Sequence, residues 1–435
     1  MTNWQEQARE RIASPADALA MVSSGDRVVV GHATGEPQAL IEALVARAGD
    51  LRDVEIVHMV AMGPAKYAQA GMEASFRHNG FFLGGTTRKA IEEGRGDFTP
   101  CFFSEVPRLF RQGILPVDVA LIQVTPPDSE GFCSYGVSAD YTVAAAEAAR
   151  IVIAQINPLL PRTGGARIPL SALSRIVVQE QPVIELPSPK IGEVERRIGE
   201  NVAGLIPDGA TLQLGIGAIP DAVLLFLDGK RDLGIHSEMF SDGVVHLARQ
   251  GVITNRRKTI NPGKFVATFL MGSRKLYDFV DNNPDVELHP VDYVNDPCVI
   301  GAHDVMISIN SALQVDLMGQ VNAEMIGPRQ FSGIGGQVDF VRGASRSKGG
   351  RSIIAMPSTA AGGKVSRIAL ELDRGAAVTT SRTDVHCVVT EYGIADLRGK
   401  TLHQRADALI AIAHPDFRGS LRRSLVRDAK APVPA

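Results

Sequence analysis

Short apolar runs rich in valine and isoleucine recur along the chain: GDRVVVG (25–31), VEIVHMVAMG (54–63), VDVALIQV (117–124), ARIVIAQI (149–156), GATLQLGIG (209–217) and DVMISIN (304–310). Each is only a few residues of continuous apolar character, the pattern of a strand buried on both faces. Segments with helical spacing, such as PQALIEALVARAG (37–49), separate them. This alternation predicts an α/β architecture with parallel sheets.

The pattern occurs twice. SSGDRVVVGHATGEPQALIEALV (23–45) matches IPDGATLQLGIGAIPDAVLLFLD (206–228): a glycine, a strand, a second glycine at the strand's end, then proline and a helix. In the same order, VEIVHM (54–59) parallels LGIHSEM (233–239), so His58 matches His236. GDFTPCFFSEVPRLFRQG (96–113) parallels GKFVATFLMGSRKLYDFV (263–280), and DSEGFCSYG (128–136) parallels DLMGQVNAEMIG (316–327). Collinear similarity of this kind predicts two related open α/β domains. A proline-punctuated polar stretch at 177–199 places the boundary near 187, giving expected domains 1–187 and 188–435. The halves differ at one chemically telling position, where Glu238 of the second stands opposite Val60 of the first.

Composition narrows the function classes. Forty-five Lys and Arg against 48 Asp and Glu give a net charge of -3, no field for a nucleic-acid backbone, so neither a nucleic-acid partner nor a membrane is expected. The apolar runs are too short to span a bilayer, and MTNWQEQARERI at the start is charged, which fits a cytoplasmic protein. Cys101, Cys133, Cys298 and Cys387 are far apart, so buried free thiols are expected. The ten histidines form no metal-ligand spacing, and no metal is expected.

Three segments carry candidate chemistry. GIGAIPDA (215–222) places Gly215 and Gly217 where a ligand can approach backbone, with Pro220 in the first turn of a helix. Its proline replaces the third glycine of a dinucleotide fingerprint, and GHATGE (31–36) fails that test too. FSGIGGQVDF (331–340) can present successive amides of Gly335 and Gly336 to developing negative charge, or form a plain turn. GIHSEMF delivers Glu238 to a loop, where its type alone fits a surface carboxylate, a general base or a nucleophile. Asn295 can donate and accept or close a turn, and Lys364 lies beside glycines in STAAGGKVSRI.

Taken together, GIGAIP, GIHSEM, GIGGQVDF, GGKVSRI and EYGIADLRGKT, in this order, resemble the acetyl-CoA hydrolase/transferase family, the branch of class I CoA-transferases that includes 4-hydroxybutyrate and butyryl-CoA:acetate CoA-transferases. The resemblance implies the NagB/RpiA/CoA-transferase-like fold, with the active site at the interface of its two α/β domains and the catalytic glutamate in the second. It implies Glu238 as nucleophile, Asn295 as an active-site amide and Gly336 at the oxyanion-stabilising region. It further implies CoA contacts at Gly215, Ile216, Gly217, Ala218, Ile219 and Leu313, to which the residues themselves add Gly335 and Gly336 of the glycine-rich turn and Lys364 beside its glycines as expected CoA-binding positions. CoA is then substrate and covalent glutamyl-CoA intermediate rather than tightly bound cofactor, the partners are an acyl-CoA and a small carboxylate, and a homodimer is expected. An acyl-CoA hydrolase using Glu238 and a non-catalytic CoA-binding sensor are the alternatives. For a 4-hydroxy substrate, Gln337 and Asn295 are the side chains that offer hydrogen bonds.

Overall fold

A computed structural model describes residues 3–428, so the outermost ends of the two expected domains, 1–2 and 429–435, lie outside the described residues. The chain forms two compact units. The first comprises Met1–Pro187, His236–Val245 and Lys264–Asp296, and the second Ser188–Ile235, His246–Gly263 and Pro297–Ala435.

A seven-stranded sheet organises the first unit, in the spatial order Arg175–Val178, Ile151–Ile156, Val119–Val124, Arg27–Val30, Val54–Val57, Phe76–Gly80, Gly96–Phe98. All its pairings are parallel. Strands Val119–Val124 and Ile151–Ile156 are buried along their whole length, as continuous apolar runs require. Their polar residues, Gln123 and Gln155, bond to each other at 3.2 Å, which satisfies amides that would otherwise be costly to bury.

The second unit repeats this order. Gly234–Ile235, Thr211–Leu214, Met306–Asn310, Arg351–Ala355 and Cys387–Thr390 run parallel, and Gly393–Asp396 closes that edge antiparallel. Strand by strand this is Val54–Val57, Arg27–Val30, Val119–Val124, Ile151–Ile156 and Arg175–Val178 again.

The duplication reaches individual hydrogen bonds. Asp128 Oδ1 accepts from the amides of Glu130 and Phe132, each at 2.9 Å. Asp316 Oδ1 accepts from Met318 and Gln320 at 3.0 and 2.8 Å. Each turn uses a left-handed glycine, Gly131 at φ 83° and Gly319 at φ 93°, a conformation side chains disfavour.

The units depart from the expected continuous halves. Residues 236–245 and 264–296 pack with the first unit because their backbone groups are used there. Leu270 N–H donates to Val137 O at 2.8 Å, and Ala139 and Asp140 N–H both donate to Thr268 O. Glu238 therefore belongs to the first unit, although it follows residue 188 in sequence.

The expectation of uniformly buried thiols is also corrected. Cys133 and Cys387 are buried, but Cys101 is half-buried and Cys298 exposed. No helix among the described residues is long and apolar enough to cross a membrane.

Candidate active site

Glu238 sits on a short parallel ladder. His236 bridges Val266, and Met239 and Phe240 pair with Phe269 and Leu270. Ser237 N–H donates to Val266 O at 3.1 Å, and Glu238 O accepts from the amides of Thr268 and Phe269 at 2.9 and 3.2 Å. Both strands bend at the same level, at Glu238 and at Thr268.

The neighbouring strand Phe265–Ala267 pairs in parallel with Val286–Leu288, which leads into the short helix Val291–Val294. Asn295 caps that helix, its N–H returned to Val291 O at 2.9 Å. From this anchored position Asn295 Nδ2 donates to Glu238 Oε2 at 2.8 Å. His236 ties the two elements together, since its Nε2–H donates to Val294 O at 2.8 Å, one residue before Asn295.

The resulting pair is asymmetric in burial. Glu238 is half-buried, while Asn295 is fully enclosed. Asn295 Oδ1 has no hydrogen-bond partner among the described residues. An enclosed amide oxygen without a donor costs about 1 to 3 kcal/mol, a penalty that a ligand's donor would remove. Chemically, the arrangement offers an oriented carboxylate with one oxygen held and the other side chain's acceptor still open.

The remaining candidate residues belong to the second unit, several of them gathered at the carboxyl end of its sheet, where open α/β sheets bind ligands. Gly215–Gly217 leave strand Thr211–Leu214, and Gly217 at φ 117° precedes helix Ala218–Leu224. Ile216 is exposed and Ile219 buried, so the two apolar side chains of the loop face different surroundings. Leu313 follows strand Met306–Asn310 and donates its N–H to Asn322 O at 2.9 Å. Gly335 is left-handed at φ 54°, and Gly336 caps helix Gln337–Arg346. Gln337 is spoken for at both ends: Nε2 donates to Ser311 O at 2.6 Å and Oε1 accepts from Thr380 at 3.0 Å. Lys364 is exposed in the turn between Thr359–Ala360 and Val365–Ser366.

Two features of the first unit escape sequence reading. Glu36, tested there only as part of a failed nucleotide loop, is buried with Oε1 and Oε2 accepting from Gly63 and Met62 amides at 2.7 and 3.0 Å. Burial outweighs those amides and raises its carboxyl from 4.5 to about 7. Beside it, His58 is pushed well below its ordinary range by burial and bonds Tyr67 through Nδ1 at 2.7 Å. The second feature is Thr268, a lone hydroxyl in an apolar run.

No metal is expected from the sequence, and the structure adds one group to weigh: His386, Cys387 and Asp396 hold their ligand atoms within 4.8 Å of one another. Burial pushes the Cys387 thiol up to about 11.

Residues 1–186 match the acetyl-CoA hydrolase/transferase N-terminal domain and residues 272–425 its C-terminal domain. The chain belongs to the acetyl-CoA hydrolase/transferase family. It is 60% identical over 419 residues to a 4-hydroxybutyrate coenzyme A transferase of Clostridium kluyveri, covering 96% of this chain and 98% of the relative. It is 39% identical to a butyryl-CoA:acetate CoA-transferase of Anaerostipes caccae, covering 98% of this chain and 97% of the relative. Among solved structures, a 4-hydroxybutyrate CoA-transferase from Porphyromonas gingivalis matches with a TM-score of 0.86 and 46% identity, over 98% of this chain and 100% of that one. The chain is accordingly a CoA-transferase, with CoA as substrate.

Proposed function

We propose that this enzyme moves CoA between a short-chain acyl-CoA, 4-hydroxybutyryl-CoA or butyryl-CoA, and a carboxylate such as acetate, with Glu238 as nucleophile. The observation that carries the reading is the Glu238–Asn295 pair: a half-buried carboxylate held at 2.8 Å by an enclosed amide whose own oxygen is unpartnered. A surface glutamate needs no such support.

In the first step Glu238 attacks the acyl-CoA carbonyl, the C–S bond breaks, and an acyl-glutamyl anhydride and CoA thiolate result. The thiolate then attacks the glutamyl carbonyl, releasing the first carboxylate and leaving a glutamyl-CoA thioester. The incoming carboxylate reverses the sequence. Each attack places charge on an oxygen, for which Asn295 Nδ2–H and the amide of Gly336 are the proposed donors; one such donor contributes about 3 to 4 kcal/mol. The CoA contacts are assigned to Gly215–Ile219, Leu313, Gly335, Gly336 and Lys364. Of the two side chains offered to a 4-hydroxy group, Gln337 already holds a partner at each end of its amide whereas Asn295 Oδ1 holds none, which favours Asn295 Oδ1 as acceptor.

The test is consumption of butyryl-CoA and 4-hydroxybutyryl-CoA with and without acetate. Transfer predicts turnover that requires acetate and yields stoichiometric acetyl-CoA. Equal consumption in its absence would make the enzyme a hydrolase.

A further inference from the structure

Thr268 stands across the ladder from Glu238. The bridges on either side, His236 with Val266 and Met239 with Phe269, share one register, which puts residue 268 level with residue 238. Level residues of parallel strands stand roughly 4.8 Å apart, which brings Thr268 beside Glu238 across the ladder. The two strands bend together at this level, and both backbone groups of Thr268 are committed, N–H to Glu238 O and C=O to Ala139 and Asp140. Thr268 is fully buried, yet its Oγ1 has no hydrogen-bond partner among the described residues. A buried hydroxyl without a partner is expensive to retain, whereas valine would fill the same space in a strand at no polar cost.

Resting on the reading of Glu238 as nucleophile, we propose that the Thr268 hydroxyl is a further catalytic donor, acting on the acylated state of Glu238. When CoA thiolate or a carboxylate attacks the glutamyl carbonyl, the C=O electron pair moves onto oxygen. Thr268 Oγ1–H donates to that oxygen without transferring its proton. On collapse the pair returns to re-form the carbonyl and the leaving group departs. Asn295 serves the same carboxyl from the neighbouring helix cap, so two hydrogen-bonding side chains flank one reacting group.

The experiment compares Thr268→Val, which keeps shape and loses the hydroxyl, with Thr268→Ser, which keeps the hydroxyl and loses a methyl. Steady-state kinetics with butyryl-CoA and acetate are read alongside the mass of the glutamyl-CoA adduct in each variant. Thr268→Val is expected to lower kcat about 100-fold, the effect of removing one oxyanion donor, with KM for butyryl-CoA changed less than about threefold. The adduct still maps to Glu238 but forms and discharges slowly, and Thr268→Ser recovers kcat to within about tenfold of wild type. Wild-type kcat in Thr268→Val, or equal losses in both variants, would overturn the proposal and leave Thr268 a packing residue while the adduct on Glu238 stood. Absence of any Glu238 adduct from the wild-type enzyme would instead remove the nucleophile reading on which the proposal rests.

Discussion

Asn295→Asp replaces the amide beside Glu238 by an isosteric carboxyl. The donor-acceptor distance is 2.8 Å, so the two carboxyl groups are forced together and their charge centres lie roughly 4 Å apart. At an effective dielectric constant of about 20, two like charges at that separation repel by about 4 kcal/mol. Divided by about 1.36 kcal/mol per pH unit, this raises loss of the pair's second proton by about three pH units. Below that point the pair holds one proton, and the introduced carboxyl, still neutral, donates to ionised Glu238 as the native amide does. Above it the donor is gone and a second anion faces the developing oxyanion. The variant-to-wild-type ratio of kcat/KM for acetate-dependent transfer, measured from about pH 5.5 to about pH 9, should start within about tenfold of unity. It should fall through neutrality to a plateau about 100-fold to 1000-fold lower. A ratio that stays flat, or that rises with pH, would refute the pairing as a feature of the working enzyme. The two protons titrate as a coupled pair, so the midpoint belongs to the pair and not to either residue.

Glu36→Gln should change how stability depends on pH. The folded carboxyl is raised from 4.5 to about 7 by burial, so the folded state binds the proton more tightly than the unfolded chain. Its contribution is fully present below about pH 4.5 and is lost as pH rises to about 7, a loss of about 3 kcal/mol. Urea unfolding across this range should therefore show wild type losing stability relative to Glu36→Gln as pH rises, and parallel curves would contradict the assignment. Glu238→Ala should keep the circular dichroism spectrum of wild type and abolish transfer, because Glu238 is only half-buried and contributes its backbone carbonyl, not its side chain, to the ladder with Thr268 and Phe269; substantial transfer by a verified variant would reject its role.

The local grammar of the fold is legible in the sequence. Val28–Val30 and Ile151–Ile156 announce buried strands by composition alone, and the DSEG and DLMG tetrads at 128 and 316 mark equivalent turns. Both do so because the causes are local: apolar runs, and an aspartate that can cap its own turn. The placement of Glu238 is of another kind. Its unit is decided by hydrogen bonds from Leu270, Ala139 and Asp140 to and from residues more than a hundred positions away, and no spacing rule encodes them. Asn295 was visible as a residue type, but its bond to Glu238 spans 57 positions. Thr268 carried almost no signal, since threonine in an apolar run is an ordinary strand residue. It becomes notable only once its register with Glu238 and its unpartnered hydroxyl are known. Glu36 was concealed in a similar way, as a charged residue after a glycine whose burial depends on the Met62–Gly63 backbone.

Glu238 is expected to become covalently attached during transfer, and peptide mass spectrometry of the enzyme after incubation with butyryl-CoA, beside Glu238→Ala, reads that attachment. A CoA-sized adduct is expected on the peptide containing Glu238, absent from the variant and discharged by acetate as acetyl-CoA. Full turnover without any adduct on Glu238, or an adduct that persists in the variant, would contradict that attachment.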